Sequence, residues 1–212
     1  MSTSMQGSVF TVGHSNHPLE HFIGLLRRHG ITALADVRSM PYSRTNPQFN
    51  REDLREALRG VEIAYVFLGK ELGARSEDPA CYEDGKVRYD RLARTDLFRK
   101  GVERVREGSE KFRLALMCAE REPLDCHRTI LVAKHLAAQG FDVQHIHSDG
   151  GVESQGDAIS RLIRMLKMPQ EDMFHSRDEI VEHAYKKQEE RIAYTAPIAG
   201  AHADAAVGPN VS

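Results

Sequence analysis

Residues 9–30 read VFTVGHSNHPLEHFIGLLRRHG, and this stretch decides the fold. Its first four residues form an apolar run that is typical of a buried strand and that stops at Gly13. From Pro18 onward, apolar residues recur at helical spacing until Gly30, a residue typical of helix ends. The stretch therefore predicts one strand followed by one helix.

The same alternation of strand and helix continues along the chain. Further apolar runs at residues 31–37, 61–68, 112–118 and 141–147 predict strands. Helices are predicted at 18–29, at 51–59, at 89–107 with a break near Thr95, at 127–139 and at 157–166. This alternation is typical of a parallel sheet covered on both faces. We therefore predict an α/β fold with a Rossmann-like, open, mostly parallel five-stranded sheet, its first strand near the centre and helices on both faces.

Length and composition limit the possible classes of protein. The 212 residues include 29 basic and 31 acidic side chains, so the net charge of −2 excludes recruitment to nucleic acid or an anionic membrane by overall charge alone. We predict a single α/β domain over residues 8–168, a C-terminal helical extension over 169–194 and a disordered tail over 195–212. The extension is also expected to offer a helix through which a homo-oligomer could form.

The sequence also gives expectations about location. No apolar run approaches the length of a membrane span, and the first residues lack the pattern of a secretory signal, so we expect no membrane association and a cytoplasmic protein. Three scattered cysteines favour free thiols over a disulfide framework.

Polar side chains follow the predicted strands. In an open parallel α/β sheet, ligands bind beyond the carboxyl ends of the strands. We therefore expect the side chains at these ends to surround one cleft. Those assigned to binding an anion or substrate are His14, Ser15, Asp36, Arg38, Ser43, Arg44 and Arg128. Within this set, Asp36 is expected to orient a histidine or an arginine.

The densest group of reactive side chains lies at residues 118–128, which read CAEREPLDCHR. Unpaired N–H groups at the start of the following predicted helix favour a thiolate or a bound anion, so Cys126 is the predicted nucleophile. His127 and Glu120 are its predicted proton-transfer partners. Cys118 is a further catalytic candidate, with packing or substrate contact as the alternative. The simplest alternative for both thiols is inert burial.

Metal and cofactor motifs are weak in this sequence. There is no Cys-x-x-Cys and no His-Glu-x-x-His, and adjacent residues such as Cys126 and His127 seldom both bind one tetrahedral zinc ion. The turn after the first strand lacks the Gly-x-Gly-x-x-Gly of a dinucleotide site, and no Walker-type loop is present. We therefore predict neither a metal nor a cofactor.

Taken together, the motifs resemble the uncharacterised family catalogued as domain of unknown function 488. The resemblance implies an α/β fold in a small cytoplasmic bacterial or archaeal protein, and it implies no particular reaction. It is carried, over roughly residues 9–147, by Val12–Asn16, Asp36–Arg38, Pro41, Ser43–Arg44, Asn46–Pro47, Phe49, Ile63–Tyr65, Leu72–Gly73, Cys118–Glu120 and Cys126–Arg128.

The residues predict an enzyme that acts on an anionic substrate, a nucleotide or a molecule derived from nucleic acid, through a Cys/His/Arg site. The basic stretch 86–113, with ten Lys or Arg against five Asp or Glu, also allows a non-catalytic nucleic-acid-binding or regulatory module. A second alternative is sulfur transfer, because residues 36–38 also resemble the opening of rhodanese domains. The sequence departs from that class in lacking a Cys-x5-Arg loop.

Overall fold

The computed structural model describes residues 6–169 and 175–197. The strands are β1 (Gln6–Gly13), β2 (Ala33–Asp36), β3 (Ala64–Phe67), β4 (Tyr82–Glu83), β5 (Lys86–Val87), β6 (Leu114–Cys118), β7 (Phe141–Ile146) and β8 (Val152–Ser154). The helices are α1 (Leu19–Arg28), α2 (Arg51–Arg59), α3 (Gly69–Leu72), α4 (Tyr89–Ala93), α5 (Asp96–Lys111), α6 (Lys134–Ala138), α7 (Gln155–Met165) and α8 (Arg177–Ile192).

Six of these strands form one sheet in the order β3-β2-β6-β1-β7-β8. The first five pair in parallel, and β8 pairs antiparallel with β7 at the edge. The predicted α/β class and mostly parallel sheet are confirmed, as is the position of the first strand near the centre. The predicted count of five strands is wrong, because β8 was missed.

The missed strand follows a tight turn. Gly150 has a φ of +83°, and Asp149 Oδ1 accepts a hydrogen bond from the Gly151 N–H at 2.8 Å. This turn reverses the chain so that β8 returns beside β7. Because β8 has only three residues, it is too short to show a strand periodicity.

The sheet is covered on both faces. Phe22 of α1 and Leu54 of α2 pack on one face, against strand residues such as Met117. Helices α5, α6, α7 and α8 pack on the other face, together with strand residues such as Leu116. All five residues of β6 are buried, as expected of a central parallel strand.

Helix boundaries follow local signals in most places. The helix α2 spans the predicted residues 51–59, and Thr95 caps α5 by accepting a hydrogen bond from the Phe98 N–H at 3.1 Å. The predicted helix 127–139 differs from the structure, because a π-helical turn at Arg128–Ala133 precedes α6. Such turns are rare and occur frequently at functional sites.

The C-terminal part packs on the rest of the chain. Ile180 and Ala184 of α8 are buried in the same core as the central strands. Thr195, predicted to begin a disordered tail, pairs with Lys86, and the Ala196 N–H donates to the Gly85 carbonyl at 2.8 Å. Residues 198–212 of that predicted tail, and 170–174 of the extension, lie outside the described residues. The domain boundaries and the homo-oligomer stay predictions. Among the described helices, none is long and apolar enough to cross a membrane.

A buried histidine in β7 makes the stability depend on pH. His145 Nε2–H donates to Gln155 Oε1 at 2.6 Å, Nδ1 accepts from the Thr11 hydroxyl at 2.8 Å, and burial lowers the His145 pKa from 6.5 to about 4. The unfolded chain therefore binds a proton below pH 6.5 that the folded chain does not accept until about pH 4. This contribution to stability is complete above pH 6.5 and is lost as the pH falls toward 4.

We expect the free energy of unfolding to fall by about 2 kcal/mol more in the wild type than in His145→Gln when the pH changes from 7 to 5. Urea denaturation of both proteins at the two pH values measures this difference. Equal decreases in the two proteins would contradict the assignment to His145.

Candidate functional site

Three parallel strands end side by side at one edge of the sheet. Gly13 of β1 is in register with Cys118 of β6, and Asp36 of β2 is in register with Met117. Backbone hydrogen bonds continue this pairing beyond the strands, from the His14 N–H to the Cys118 carbonyl and from the Ser15 N–H to the Ala119 carbonyl, each at 2.9 Å. The loops after β1 and β6 are therefore held together where ligands bind in such sheets.

A buried ion pair lies at the end of β2. Arg38 donates through Nε to Asp36 Oδ1 at 2.9 Å and through Nη2 to Asp36 Oδ2 at 2.6 Å. Arg38 Nη2 also donates to the Phe49 carbonyl at 2.8 Å, and the Tyr65 hydroxyl donates to Asp36 Oδ2 at 2.8 Å. Asp36 is fully buried, and Arg38 is only 5% exposed. The carboxylate thus fixes the direction in which the guanidinium points.

His14 completes this network in its neutral form. Its Nε2 accepts from Arg38 Nη1 at 3.1 Å, its Nδ1–H donates to the Ser15 carbonyl at 2.8 Å, and its ring stacks on Phe49 at 4.4 Å. Burial and the neighbouring Arg38 charge lower the His14 pKa to about 4. Four of the five guanidinium N–H groups of Arg38 now have partners, and one on Nη1 remains.

A second cluster contains Cys118, Glu120, Cys126 and His127, whose ligand-type atoms all lie within 4.8 Å of one another. His127 Nδ1 lies 3.6 Å from Cys118 Sγ and 3.9 Å from Cys126 Sγ. Cys126 Sγ lies 2.9 Å from Glu120 Oε2 and accepts a hydrogen bond from the Arg128 N–H at 3.4 Å. His127 Nε2 lies 3.1 Å from the Val37 carbonyl, so Nε2 carries a proton and Nδ1 faces the cluster.

The cluster has unequal proton affinities. Burial raises the pKa of the Cys118 thiol, and burial of the carboxyl group, in a residue that is otherwise exposed, together with the charge of Cys126 raises the pKa of Glu120. For Cys126, the hydrogen bond from Cys118 and the charge of Arg128 outweigh burial and hold the thiol pKa below its usual range. Burial alone would lower the His127 pKa, but contact with Cys126 outweighs burial and raises it.

Arg128 supports the loop that carries Glu120. Its side chain is fully buried and donates to the Glu120 carbonyl at 2.7 Å and to the Arg121 carbonyl at 3.4 Å. The guanidinium therefore adds positive charge behind the cluster, and its contacts are with backbone rather than with the cleft.

A cleft of about 230 Å³ opens onto both groups of side chains. Arg38, Cys118, Glu120 and His127 line it, whereas Cys126 lies behind them and is 1% exposed. The cleft is also lined by Tyr89 and by Arg75, Ile192 and Tyr194, and sequence reasoning missed these last three. The Arg75 guanidinium stacks on the Tyr194 ring at 4.3 Å. No local motif marks these residues, because they reach the cleft only through long-range packing.

Three predicted binding residues lie away from this cleft. Ser15 Oγ donates to Asn16 Oδ1 at 3.2 Å, and Ser43 Oγ accepts from the Asn46 N–H at 3.1 Å, so each serine orders its own loop. Arg44 is exposed on the same loop as Ser43. None of the three is among the residues that line the cleft. The structure therefore brings together His14, Asp36, Arg38, Cys118, Glu120, Cys126, His127 and Arg128.

The fold and this site define an α/β protein with reactive side chains at the carboxyl edge of a mostly parallel sheet. The chain belongs to the family described as Domain of unknown function DUF488, whose family model matches residues 18–135. The predicted membership is thereby confirmed. A search of curated proteins and a search of solved structures found no match.

The matched region covers the second cluster and the Asp36–Arg38 pair. It leaves out β1 and His14 at one end, and α8 and Tyr194 at the other. The match is therefore narrower than the stretch over which the sequence motifs resemble the family.

Proposed function

We propose that this protein is an enzyme that acts on a small anionic substrate in the cleft at the carboxyl edge of its sheet. The observation that carries the proposal is the meeting of thiol, imidazole, carboxyl and guanidinium groups in one concave site. The assignment of the sheet as Rossmann-like supports it, since open sheets of that type bind ligands at this edge. The cytoplasmic location stays a prediction.

Two arginines are suited to hold the anion. Arg38 is oriented by Asp36 and His14 and retains one Nη1 N–H, and Arg75 lines the same cleft. Guanidinium groups recognise carboxylates and phosphates through such donors. Glu120 and Asp125 also line the cleft, so it holds carboxyl groups as well as the two arginines. An anion held by the arginines leaves these carboxyl groups available to the rest of the substrate.

The reaction is assigned to Cys118, His127 and Glu120, because these three line the cleft. The hydrogen bond to the Val37 carbonyl fixes the His127 ring so that Nδ1 faces the Cys118 thiol. Cys126 contacts Glu120 and His127 from behind and acts here as a positioning residue.

The cleft volume restricts the substrate. Ligand sites commonly enclose about 300–1,000 Å³. A cleft of about 230 Å³ is smaller, so it fits a phosphate or carboxylate with a small attached group, or the reacting end of a nucleotide. Longer molecules would extend past Met40, which lines the cleft and is 62% exposed.

Turnover of a panel of nucleoside phosphates and simple phosphate esters, followed by mass spectrometry of the products, tests the proposal. We expect Cys118→Ala to lower kcat at least about 100-fold, because it removes a reacting group. We expect Arg75→Gln to raise KM about tenfold, because it removes one contact to the anion. The value of kcat should be largely kept.

Two matched variants control for general damage. Cys81→Ala alters another buried cysteine, and Arg94→Gln alters another exposed arginine, and neither residue lines this cleft. Both should behave as the wild type. The proposal is wrong if the wild type turns over no member of the panel or if Cys118→Ala keeps full activity. Tight binding of oligonucleotides that weakens steeply with salt and ignores Cys118→Ala would instead favour the nucleic-acid-binding module.

A further inference from the structure

We propose that Cys118, Cys126 and His127 bind a Zn²⁺ ion, with Glu120 as the fourth ligand on the side of the cleft. Cysteine thiolates, imidazole nitrogen and a carboxylate oxygen are the ligands that zinc takes in proteins. The two sulfur atoms together with the nitrogen favour zinc over the hard cations Mg²⁺ and Ca²⁺, which prefer oxygen ligands.

Two of the distances between ligand atoms are close to those of a tetrahedral site. With Zn–S bonds near 2.3 Å and Zn–N bonds near 2.0–2.1 Å, neighbouring ligand atoms lie about 3.5–3.8 Å apart. The His127 Nδ1 atom lies 3.6 Å from Cys118 Sγ and 3.9 Å from Cys126 Sγ. Glu120 Oε2 lies 2.9 Å from Cys126 Sγ, so this pair must open by roughly half an ångström to admit the ion.

The surroundings of the ligands are those of a metal site. A histidine that binds a metal through one nitrogen commonly donates its other N–H to a carbonyl or carboxylate, as His127 Nε2 does to Val37. The Arg128 N–H donates to Cys126 Sγ and orients that sulfur. The sequence analysis predicted no metal, in part because Cys126 and His127 are adjacent and adjacent residues seldom both bind one tetrahedral zinc ion. The structure removes that objection, since Cys126 Sγ and His127 Nδ1 lie 3.9 Å apart in the same cluster.

The charges of the ligands balance when a divalent cation is bound. Two thiolates and one carboxylate carry three negative charges within 4.8 Å. Zn²⁺ and the buried Arg128 guanidinium, which donates to the Glu120 carbonyl, carry three positive charges. Binding releases the protons that the ligands carry before the ion arrives.

The open side of the site faces the substrate cleft. Cys118, Glu120 and His127 line the cleft, and Glu120 is the exposed member of the four. A zinc ion at these ligands would be reached from the cleft, and in catalytic zinc sites one position is open to water or substrate. The chemical role of the ion rests on the proposed function, in which Cys118, His127 and Glu120 would then act as its ligands, whereas its binding does not.

Metal analysis of the purified full-length chain tests the inference without any substrate. We expect about one zinc per chain by elemental mass spectrometry. After removal of zinc with a chelator, we expect titration with Co²⁺ to give the visible bands of a tetrahedral ion together with sulfur-to-cobalt charge transfer. Cys118→Ser, Cys126→Ser and His127→Gln should each weaken zinc affinity at least about 100-fold in a competition assay. Glu120→Gln should weaken it less.

Cys81→Ser is the matched control, because Cys81 is a buried free cysteine outside the cluster, and it should keep the wild-type zinc content. If a ligand variant fails to fold, the rebinding of one equivalent of Zn²⁺ by the stripped wild type decides the question. Absence of rebinding, an octahedral cobalt spectrum, or equal loss of zinc in Cys81→Ser would overturn the inference. Because these readouts need no turnover, a zinc-binding chain that is inactive on the panel would refute only the proposed function.

Discussion

Replacement of Asp36 by Asn is expected to lower the free energy of unfolding by about 3–5 kcal/mol. The carboxylate is fully buried and accepts hydrogen bonds from Arg38 Nε, Nη2 and backbone N–H and from the Tyr65 hydroxyl. An amide of the same shape removes the negative charge and turns an N–H₂ group toward one of these donors. The guanidinium of Arg38 then stays buried without its counter-charge. Urea denaturation at pH 7 measures the change.

Two variants separate this effect from smaller ones. Tyr65→Phe removes one hydrogen bond to Asp36 and keeps the ion pair, so we expect a loss of about 1 kcal/mol. Asp96→Asn makes the same substitution in an exposed pair with Arg99 and should change the stability little. A loss for Asp36→Asn no larger than that for Tyr65→Phe would show that the buried charge is compensated in another way.

Gly13→Ala is expected to cost about 3 kcal/mol or more, at or beyond the upper end of ordinary overpacking. A Cβ atom on Gly13 would lie 1.9 Å from the Glu120 carbonyl oxygen and 3.3 Å from Arg121 Cα. These are backbone atoms, so no side-chain rotation relieves the contact. The end of β1 and the loop that carries Glu120 must move apart, and the cleft must change with them. Urea denaturation, combined with the zinc analysis, measures both consequences.

Gly24→Ala is the matched control within the same strand–helix unit. Gly24 is exposed in α1, and a Cβ atom there has no neighbour within 4 Å. Because alanine favours a helix interior over glycine, this variant should be more stable by about 0.5–1 kcal/mol. If both glycine variants changed stability by the same amount, the close approach at Gly13 would not be rigid.

The long, periodic elements were predictable because each carries its own signal. The apolar stripe of α2 and the Thr95 cap before α5 depend only on neighbouring residues. The strand β8 was not predictable in that way, since three residues cannot establish a pattern. The pairing of Thr195 with Lys86 depends on residues more than 100 positions apart, and composition alone favours disorder there.

In the candidate site too, some residues were predictable from the sequence and others were not. The rule that ligands bind at strand ends selects His14, Asp36, Arg38 and Cys118 from the sequence alone. Nothing in the sequence reveals that Cys118 lines the cleft while Cys126 does not, or that Tyr194 lines it. Both follow from the packing of the turn after β6 and of α8, which is set by the whole core rather than by a local motif.

The hydrogen bonds that hold Arg38 have a consequence for affinity. An arginine side chain that is unrestrained loses rotamer freedom when it binds a ligand, and this loss of entropy weakens the binding. Here Asp36, Phe49 and His14 have already confined the guanidinium when the chain folds. An anion that binds the remaining N–H group therefore meets a preorganised receptor. The entropy of immobilising the arginine is lost when the chain folds and not when the anion binds.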